Sequence, residues 1–310
     1  MDARSETHAN NPVIVTGHGH VILAPGDTCD PSPYLKAPKL RKYMGVQDDL
    51  AVSAAARALE SREAATRSGA SDESRVSLRV AVSPERIGLY LAVGFIPFEQ
   101  ADLDPLLTAS LDDGRFSMDR FSTAGFRAVN GLLTFRCLPN MPAFHVSVNC
   151  NIQGPYFVTY PGPGQFYLAL EEAVTALRAG TIDVALVVGV AHQRNFLVEY
   201  HFGRIDDPVP AEQLRDAAGC IVLERAHLLG PALARLARFE VAYRAHDPFA
   251  QTDCEFRENF RGFNREVCGY LGAAALPARL SFELASSRGR FEHVLHSRDG
   301  YIGQSTWEGM

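Results

Sequence analysis

Residues 154–165 are Gly-Pro-Tyr-Phe-Val-Thr-Tyr-Pro-Gly-Pro-Gly-Gln, a segment of aromatic and β-branched residues that runs directly into a turn of glycine and proline. The composition of residues 156–160 is typical of a strand. Behind the turn, apolar residues recur at helical spacing until Gly180 supplies a C-terminal stop. They are Phe166, Ala169, Leu170, Ala173, Val174 and Leu177. The sequence therefore predicts a tight strand-to-helix turn with its tip beside the positive end of a helix.

The side chains of this predicted turn are unusual. A strand-to-helix elbow commonly presents a nucleophile to an acyl donor. Here the turn consists of Pro161, Gly162, Pro163, Gly164 and Gln165. Neither proline nor a side-chain amide forms an ester or thioester. The amide of Gln165 either polarises a carbonyl group or simply caps the start of the helix. The elbow is thus predicted without a nucleophile.

Apolar runs on both sides of the elbow indicate a layered α/β fold. Residues 182–190 are almost continuously apolar, which is typical of a strand covered by helices on both faces. Strands are predicted at residues 12–17, 86–94, 144–148, 156–160, 182–190, 218–224, 234–243, 291–296 and 301–307. Helices are predicted at residues 46–61, 124–137, 164–180 and 272–287. Polar residues 61–77 suggest an exposed loop, and residues 247–263 an irregular aromatic segment.

Composition narrows the class of protein. The 310 residues are 46% hydrophobic and 21% charged, with a formal net charge of -6, which is ordinary for a globular protein. Because acidic and basic residues are mixed along the chain, nucleic acid is not an expected partner. No apolar run reaches the length of a membrane span and the N-terminus is polar, so we expect a cytoplasmic location.

The six cysteines show no metal-binding pattern. They lie at positions 29, 137, 150, 220, 254 and 268, without a CxxC pair or the Cys/His spacing of a zinc site. We expect reduced thiols that are mostly buried, and we predict neither a metal nor another cofactor.

Several motifs follow one another in a definite order. They are Val15-Thr-Gly17, a helical segment at 40–59, Glu85-Arg-Ile-Gly88, Asn140-Met-Pro-Ala-Phe-His145, Gly154-Pro155, the elbow, Ala173-Val-Thr-Ala-Leu-Arg178, Ala217-Ala-Gly-Cys-Ile-Val-Leu-Glu224, Cys268-Gly-Tyr-Leu-Gly272-Ala-Ala and Gly300-Tyr-Ile-Gly303. This order resembles that of the β-ketoacyl synthases, a family with the thiolase fold. The resemblance implies an α/β fold with thiolase-like α/β/α/β/α layers and a shortened C-terminal half. Residues 1–226 would form the N-terminal half, with the degenerate elbow, and residues 227–310 the truncated C-terminal half.

The same resemblance implies that the family's catalytic residues are missing. Counting back from Ala173 places the catalytic cysteine of the family on Pro163, and the motif around Gly272 places a catalytic histidine on Gly269. The segment between Glu224 and Cys268 has no counterpart of the family's His-Gly-Thr motif. Losing all three groups predicts that this site does not decarboxylate a malonyl donor or transfer an acyl group.

A chain-length factor is the member of the family that this pattern resembles most. Such a subunit is expected to form a heterodimer with an active ketosynthase and to shape its acyl tunnel during polyketide or fatty-acid-type elongation, including polyene and aryl-polyene chains. An acyl carrier protein would be a partner through that complex. Candidate interface or tunnel residues are Phe144, Tyr156, Phe157, Tyr160, Phe166 and Tyr167, and ordinary core packing is the competing interpretation of each.

The alternative is a self-contained homodimeric acyltransferase or hydrolase of the thiolase fold that uses another nucleophile. Cys150 precedes the Gly-Pro turn and has no evident histidine partner, so we do not expect it to act. His145, His192 and His201 show no i, i+4 pairing with a carboxylate, and none is predicted to be catalytic. A purely scaffolding protein would share the sequence features of the chain-length factor.

Overall fold

The computed structural model describes residues 12–69, 82–204, 209–226, 232–243, 269–286, 289–297 and 300–310. The strands are β1 (Val13–Ile22), β2 (Ile87–Val93), β3 (Leu111–Asp112), β4 (Arg115–Phe116), β5 (Tyr156–Thr159), β6 (Val184–Ala191), β7 (Ala217–Arg225), β8 (Ala234–Tyr243), β9 (Arg290–His296) and β10 (Tyr301–Gly309). The α-helices are α1 (Val46–Gly69), α2 (Gln100–Ala109), α3 (Met118–Arg120), α4 (Phe126–Ala128), α5 (Leu133–Arg136), α6 (Met141–Cys150), α7 (Gln165–Ala179), α8 (Phe196–Phe202) and α9 (Ala275–Ser286). A π-helical turn spans Phe121–Gly125.

Eight strands form one sheet in the order β5-β2-β6-β7-β1-β8-β10-β9, and β3 and β4 form a separate hairpin. Strands β5, β2 and β6 are parallel, whereas the remaining pairs are antiparallel. The link between β1 and β8 is narrow, since only Ile14 with Arg235 and Val15 with Ala234 are paired. The sheet therefore consists of a five-stranded part and a three-stranded part joined at a short seam.

Helix α1 covers one face of the five-stranded part. Its buried alanines, which include Ala51, Ala54 and Ala58, pack with Leu89 and Leu91 of β2 in one hydrophobic cluster. Helix α6 packs against α1 and β2 on the same face. Alanine presents only a methyl group, so the helix backbone comes close to the strands.

Helices α7 and α9 cover the opposite face and fill the centre of the molecule. Alternate strand residues such as Tyr90 and Val187 face this second cluster, as the period of two in a strand requires. From the other side, Trp307 and Phe291 of the three-stranded part join the same cluster. The order of layers is α1 with α6, the five strands, α7 with α9, and the three strands, which confirms the predicted layered α/β architecture.

The outer face of the three-stranded part is charged. Arg290 pairs with Glu292 at 2.8 Å, Arg235 pairs with Glu308, and all four side chains are exposed. In the described parts of the chain, no helix covers this face. Charged residues there are compatible with solvent rather than with another buried layer.

Most predicted elements are present, but residues 144–148 are wrong as a strand because they lie inside α6. Their β-branched and aromatic composition favoured a strand, yet Pro142 suits the first turn of a helix and Asn151 ends it in the left-handed conformation, with φ 56°. Ala143 and Val146 are buried in the cluster that contains α1. Packing of a helix face thus overrides local β-propensity.

The predicted helix at 124–137 is also wrong, because it is broken into short turns. Val129 is extended, with ψ 139°, and the Asn130 side chain accepts a hydrogen bond from the Leu132 backbone N–H at 3.0 Å. Such an Asx turn competes with a helix.

The loop predicted at 61–77 is wrong over residues 61–69, which continue α1. There Arg62 pairs with the buried Glu224 of β7 at 2.6 Å. Residues 70–77 and the predicted aromatic segment 247–263 lie outside the described residues. In the described ranges, no helix combines the length and the apolar content needed to cross a bilayer.

Candidate functional site

The predicted elbow lies between β5 and α7. The Thr159 hydroxyl group at the end of β5 donates to the Leu91 carbonyl oxygen (3.1 Å) or to the Gln165 carbonyl oxygen (3.0 Å). These contacts tie the edge strand both to its neighbour β2 and to the first residue of α7. The strand, the tight turn and the helix therefore follow one another as the sequence predicted.

The turn offers no nucleophilic side chain, and its two prolines offer no backbone donor. Pro161 and Pro163 carry no N–H group that could stabilise an oxyanion. The backbone N–H groups of Gln165 and Phe166 donate back into the turn, to the carbonyl oxygens of Gly162 at 3.2 Å and of Pro163 at 3.3 Å. The elbow keeps its shape, but none of the side chains of residues 161–165 can act as an acyl-accepting nucleophile.

A cavity of about 260 Å³ lies at the elbow. It is placed at the carboxyl ends of three parallel strands, since Phe95 follows β2, Pro161 follows β5 and Gln193 follows β6. Open α/β sheets bind ligands at this edge. The cavity is lined by Phe95, Pro161, Gly162, Pro163, Gln193, His201, Phe202, Tyr270, Gly272 and Ser297.

Ring contacts connect the aromatic part of the cavity wall. The ring centroids of Phe95 and His201 are 5.0 Å apart, and those of His201 and Phe202 are 5.5 Å apart. Phe202 in turn meets Tyr270 edge to face at 5.1 Å. Because each ring packs on the next, the cavity has a stable apolar wall.

Gly269, the position that the resemblance assigned to a lost histidine, does not line the cavity. Its φ is +71°, and a Cβ atom there would overlap the Gln213 carbonyl oxygen. The next residue, Tyr270, contributes its side chain to the cavity and donates its backbone N–H to the same Gln213 oxygen at 2.6 Å. The segment therefore presents a phenol ring, not an imidazole, to the elbow.

A buried carboxylate holds the turn that carries Gln193. Asp216 accepts hydrogen bonds from the backbone N–H groups of Gln193 (2.8 Å) and Arg194 (3.0 Å). It also accepts one from Arg194 Nε at 2.8 Å, and His192 Nδ1 lies 2.9 Å away. Burial alone would raise its pKa, but the contacts with His192 and Arg194 outweigh burial and lower the pKa of Asp216 to about 2. Asp216 is thus an ionised anchor beside the cavity.

Three of the predicted interface residues lie on the surface. Tyr156 on β5 is 66% exposed, Phe144 on α6 is 45% exposed, and Tyr160 in the elbow is 39% exposed. Strand β5 is the edge of the sheet, and no strand in the described ranges pairs with its outer side. Of the three, Tyr156 lies on this open sheet edge and Tyr160 follows directly after it, whereas Phe144 belongs to α6.

The other three candidates lie in the interior. Phe157 is partly buried against the central cluster, and Phe166 and Tyr167 are fully buried in it. The Tyr167 hydroxyl group lies 2.6 Å from His293 Nδ1 and 3.1 Å from Ser305 Oγ. Phe166 and Tyr167 join α7 to the rest of the core and are not on a surface that a partner could reach.

The histidines noted in the sequence lie at three different places. His145 is fully buried, and neither ring nitrogen has a partner in the described structure. Burial, with a smaller contribution from Arg41, lowers the pKa of His145 to about 4. His192 faces a second cavity of about 590 Å³. Only His201 reaches the elbow cavity, which the sequence analysis did not anticipate.

Cys150 has the properties of an inert thiol. Burial raises its pKa to about 11, while Lys36 lowers it slightly, so the thiol is protonated at neutral pH. It does not line the elbow cavity. Among the described residues, no group of three or more His, Cys, Asp or Glu side chains is arranged to hold a metal ion.

Three further cavity residues were not predicted from the sequence: Phe95, Gln193 and Ser297. The first two could have been found, because each follows the carboxyl end of a strand that the apolar pattern predicts. Ser297 comes from the connection after β9, more than a hundred residues away, and nothing in the local sequence marks it.

Comparisons with known proteins agree on the fold. The family model described as "Beta-ketoacyl synthase, N-terminal domain" matches residues 4–205. No curated protein is detectably similar in sequence. A chain of the structure described as "AntDE:AntF (apo): type II PKS acyl-carrier protein in complex with its ketosynthase bound to the hexaketide" is 12% identical, with a TM-score of 0.67, 97% of this chain covered and 99% of that chain.

Two further solved structures are similar over the same length. For "the ishigamide ketosynthase/chain length factor" the identity is 15%, the TM-score 0.63, and the covered shares 96% of this chain and 99% of that chain. A β-ketoacyl synthase from Burkholderia phymatum is 13% identical, with a TM-score of 0.66, 97% of this chain covered and 100% of that chain. At these identities the likeness shows the fold, and it confirms the expected thiolase-like layered arrangement.

Proposed function

Since the chain belongs to the β-ketoacyl synthase family, we propose that it is a non-catalytic, ketosynthase-like subunit of the chain-length-factor type. It pairs with an active β-ketoacyl synthase in the cytoplasm and shapes the tunnel into which the acyl chain grows, in polyketide or fatty-acid-type elongation. An acyl carrier protein reaches it through that complex. Residues 1–226 serve as the N-terminal half and residues 227–310 as the shortened C-terminal half.

The observation that carries this proposal is the elbow itself. Its strand, turn and helix are intact. By the resemblance to the family, Pro163 stands at the position of the catalytic cysteine and Gly269 at that of a catalytic histidine. The ring that reaches the cavity beside Gly269 belongs to Tyr270. A proline has neither a nucleophilic atom nor an N–H group. A fold retained without its chemistry supports a role in assembly.

The free edge of the sheet supports a partner at β5. An unpaired edge strand is a template for another strand, and native proteins usually cover or charge such an edge. Here Tyr156 on β5 and Tyr160 directly after it are exposed aromatics instead, and Phe144 on α6 is a third exposed aromatic. Aromatic residues are enriched at the centres of protein interfaces, so the ketosynthase partner is expected to bind here.

Co-expression with the ketosynthase encoded nearest to this chain tests the interface. We expect a one-to-one complex in size-exclusion chromatography, which the Tyr156→Lys variant disrupts because it places a charge in a desolvated contact. Tyr243→Lys is the matched control, since Tyr243 is 61% exposed but lies on β8. Two chains that elute separately as wild-type proteins, or equal effects of the two variants, would contradict the proposed interface.

A second candidate is a homodimeric acyltransferase or hydrolase with another nucleophile. The observation in its favour is that Ser297 and His201 line the elbow cavity together, and a serine activated by a histidine is a common acyl acceptor. This candidate requires the chain alone to hydrolyse or transfer an acyl thioester, and the Ser297→Ala variant to lose that activity. Absence of turnover by the chain alone favours the partner subunit.

A further inference from the structure

Two histidines of β1 lie on the same face of the sheet. Residues 17–20 are Gly-His-Gly-His. A Cβ atom at Gly17 or Gly19 would overlap the backbone of α1, so the two glycines face that helix. Because side chains alternate along a strand, His18 and His20 face the opposite layer, where α9 packs on β1. Both imidazole rings are partly exposed, so an ion in solution can reach them.

The two rings converge on one oxygen atom. His18 Nδ1 lies 3.0 Å from Ser281 Oγ of α9, and His20 Nδ1 lies 2.9 Å from the same oxygen. A serine hydroxyl group has a single proton and can donate it to only one of the rings. At least one ring must therefore donate its own N–H to the oxygen. Two nitrogen atoms and one oxygen atom are thus held within hydrogen-bond distance of one another's common centre.

The spacing of these donor atoms suits a transition-metal ion. Zn²⁺ binds imidazole nitrogen at about 2.0–2.1 Å in a tetrahedral arrangement, which places neighbouring donor atoms about 3.3 Å apart. The two distances to Ser281 Oγ are within a few tenths of an ångström of that value. Imidazole is a preferred ligand of zinc and copper ions. A small movement of the partly exposed rings therefore admits such an ion.

Both rings are in the neutral form that binds metals. Burial is the main cause that lowers the pKa of His18, and the neighbouring His20 lowers it further. Burial also lowers the pKa of His20, with a smaller contribution from Arg57, whose Nη1 donates to the His20 carbonyl oxygen at 2.8 Å. Protons therefore compete little for the ring nitrogens at pH 7. The charge of Arg57 also repels a cation, so we expect a moderate affinity.

We propose that His18 and His20 bind a divalent transition-metal ion of the zinc and copper class, with the Ser281 oxygen as a third donor. Each ring binds through Nδ1 and keeps its proton on Nε2, and water takes the fourth position. The ion links β1 to α9. Such a site differs from a group of three or more His, Cys, Asp or Glu side chains, which the described residues lack.

The sequence analysis predicted no metal, because Ser281 follows His20 by 261 residues and no local spacing connects them. The site lies on β1 and α9, away from β5 and the elbow. The inference therefore goes beyond the proposed function and does not depend on it.

Zn²⁺ is the probe, and its binding to the full chain is measured by isothermal titration calorimetry at pH 7. We expect saturable binding. His18→Asn and His20→Asn should each weaken it at least tenfold, since even the loss of a group that supports a ligand costs about 10–100-fold in affinity. Asparagine can still form a hydrogen bond with Ser281. Ser281→Ala should weaken binding by a smaller factor, because a neutral hydroxyl group is a weaker ligand than imidazole.

His296→Ala is the matched control, since it removes an exposed histidine from β9 and should leave the affinity unchanged. Circular dichroism shows whether each variant is folded. As a second measurement, NMR of the chain with ¹⁵N-labelled histidine should show ring signals that shift with Zn²⁺ in the wild type. The shifted signals should be those that disappear in His18→Asn and His20→Asn.

The proposal is overturned if the wild type does not bind Zn²⁺ saturably, or if the zinc-shifted NMR signals persist in both histidine variants. It is equally overturned if either folded histidine variant binds as tightly as the wild type, or if His296→Ala loses as much affinity as His18→Asn. An unchanged affinity in Ser281→Ala would refute the assignment of its oxygen as a donor.

Discussion

Replacing Asp48 by asparagine should stabilise the protein in a way that depends on pH. Asp48 lies in the first turn of α1 and is 2% exposed. One carboxylate oxygen, Oδ2, accepts a hydrogen bond from the Gly45 backbone N–H at 2.7 Å, but Oδ1 has no partner in the described structure. Burial, which the Gly45 bond only partly offsets, raises the pKa of Asp48 to about 8. The side chain is therefore protonated in the folded protein at neutral pH.

The magnitude follows from linkage between protonation and folding. The pKa of an aspartate in the unfolded chain is about 3.9, and each unit of difference corresponds to about 1.4 kcal/mol. Between about pH 4 and pH 8 the folded state holds a proton that the unfolded state has released, so stability falls as pH rises. At pH 7 the free energy of unfolding is lower by about 4 kcal/mol for this reason. Asparagine does not titrate and so removes this loss of stability, but burying its NH₂ group costs about 1–3 kcal/mol. The free energy of unfolding should therefore rise by a net of about 1–3 kcal/mol.

The assay is denaturant unfolding of wild type and Asp48→Asn at pH 5, 6 and 7. The difference in free energy of unfolding should grow by about 1.4 kcal/mol per pH unit in favour of the variant. Titration of Asp49, whose pKa burial raises to about 6, affects both proteins and largely cancels in the difference. Asp104→Asn, at an exposed position on α2, controls for the loss of one negative charge. A difference that does not change with pH would refute the burial of Asp48 on which this reasoning depends.

Three further substitutions test the layers and the core by denaturant unfolding. Gly219→Ala should lower the free energy of unfolding by several kcal/mol, because its Cβ would overlap the backbone of α9. Gly131→Ala is the control and should change stability little, since it has open space around it. Equal effects of the two substitutions would contradict the packing of α9 on β7. Tyr167→Phe should cost about 1–2 kcal/mol through its buried hydroxyl group, and no loss would mean that the bonds of this group contribute nothing. His145→Leu should add about 1 kcal/mol at pH 7, because both buried ring nitrogens lack a partner in the described structure. The variant should also lose less stability between pH 6.5 and 4, since the folded pKa of about 4 makes the unfolded chain take up the proton first; an unchanged pH profile would show that the ring is not buried.

Elements with a long and local hydrophobic pattern could be predicted from the sequence. The apolar spacing after Gln165 predicted α7, and the continuous run in β6 predicted a strand covered on both sides, because both patterns reflect burial of a whole face. The prediction was wrong at α6, because the composition of Phe144 and its neighbours favours a strand. These residues form a helix because they pack against α1.

The candidate site was predictable only in part. Pro163 could be placed at the tip of the elbow, since the turn is local in sequence. That Gln193, Tyr270 and Ser297 line one cavity with the elbow depends on strands and loops that meet across the sheet, and no spacing along the chain encodes that meeting. The same limit applies to Phe166 and Tyr167, whose helical positions do not distinguish a core face from an interface.

A condensation assay tests the proposed non-catalytic role most directly. A malonyl carrier protein and an acyl primer are supplied to this chain alone, to the neighbouring ketosynthase alone, and to both together, and the elongated product is measured. With Pro163 at the tip of the elbow, we expect condensation only when both chains are present. Elongation by this chain alone would contradict the proposed non-catalytic role.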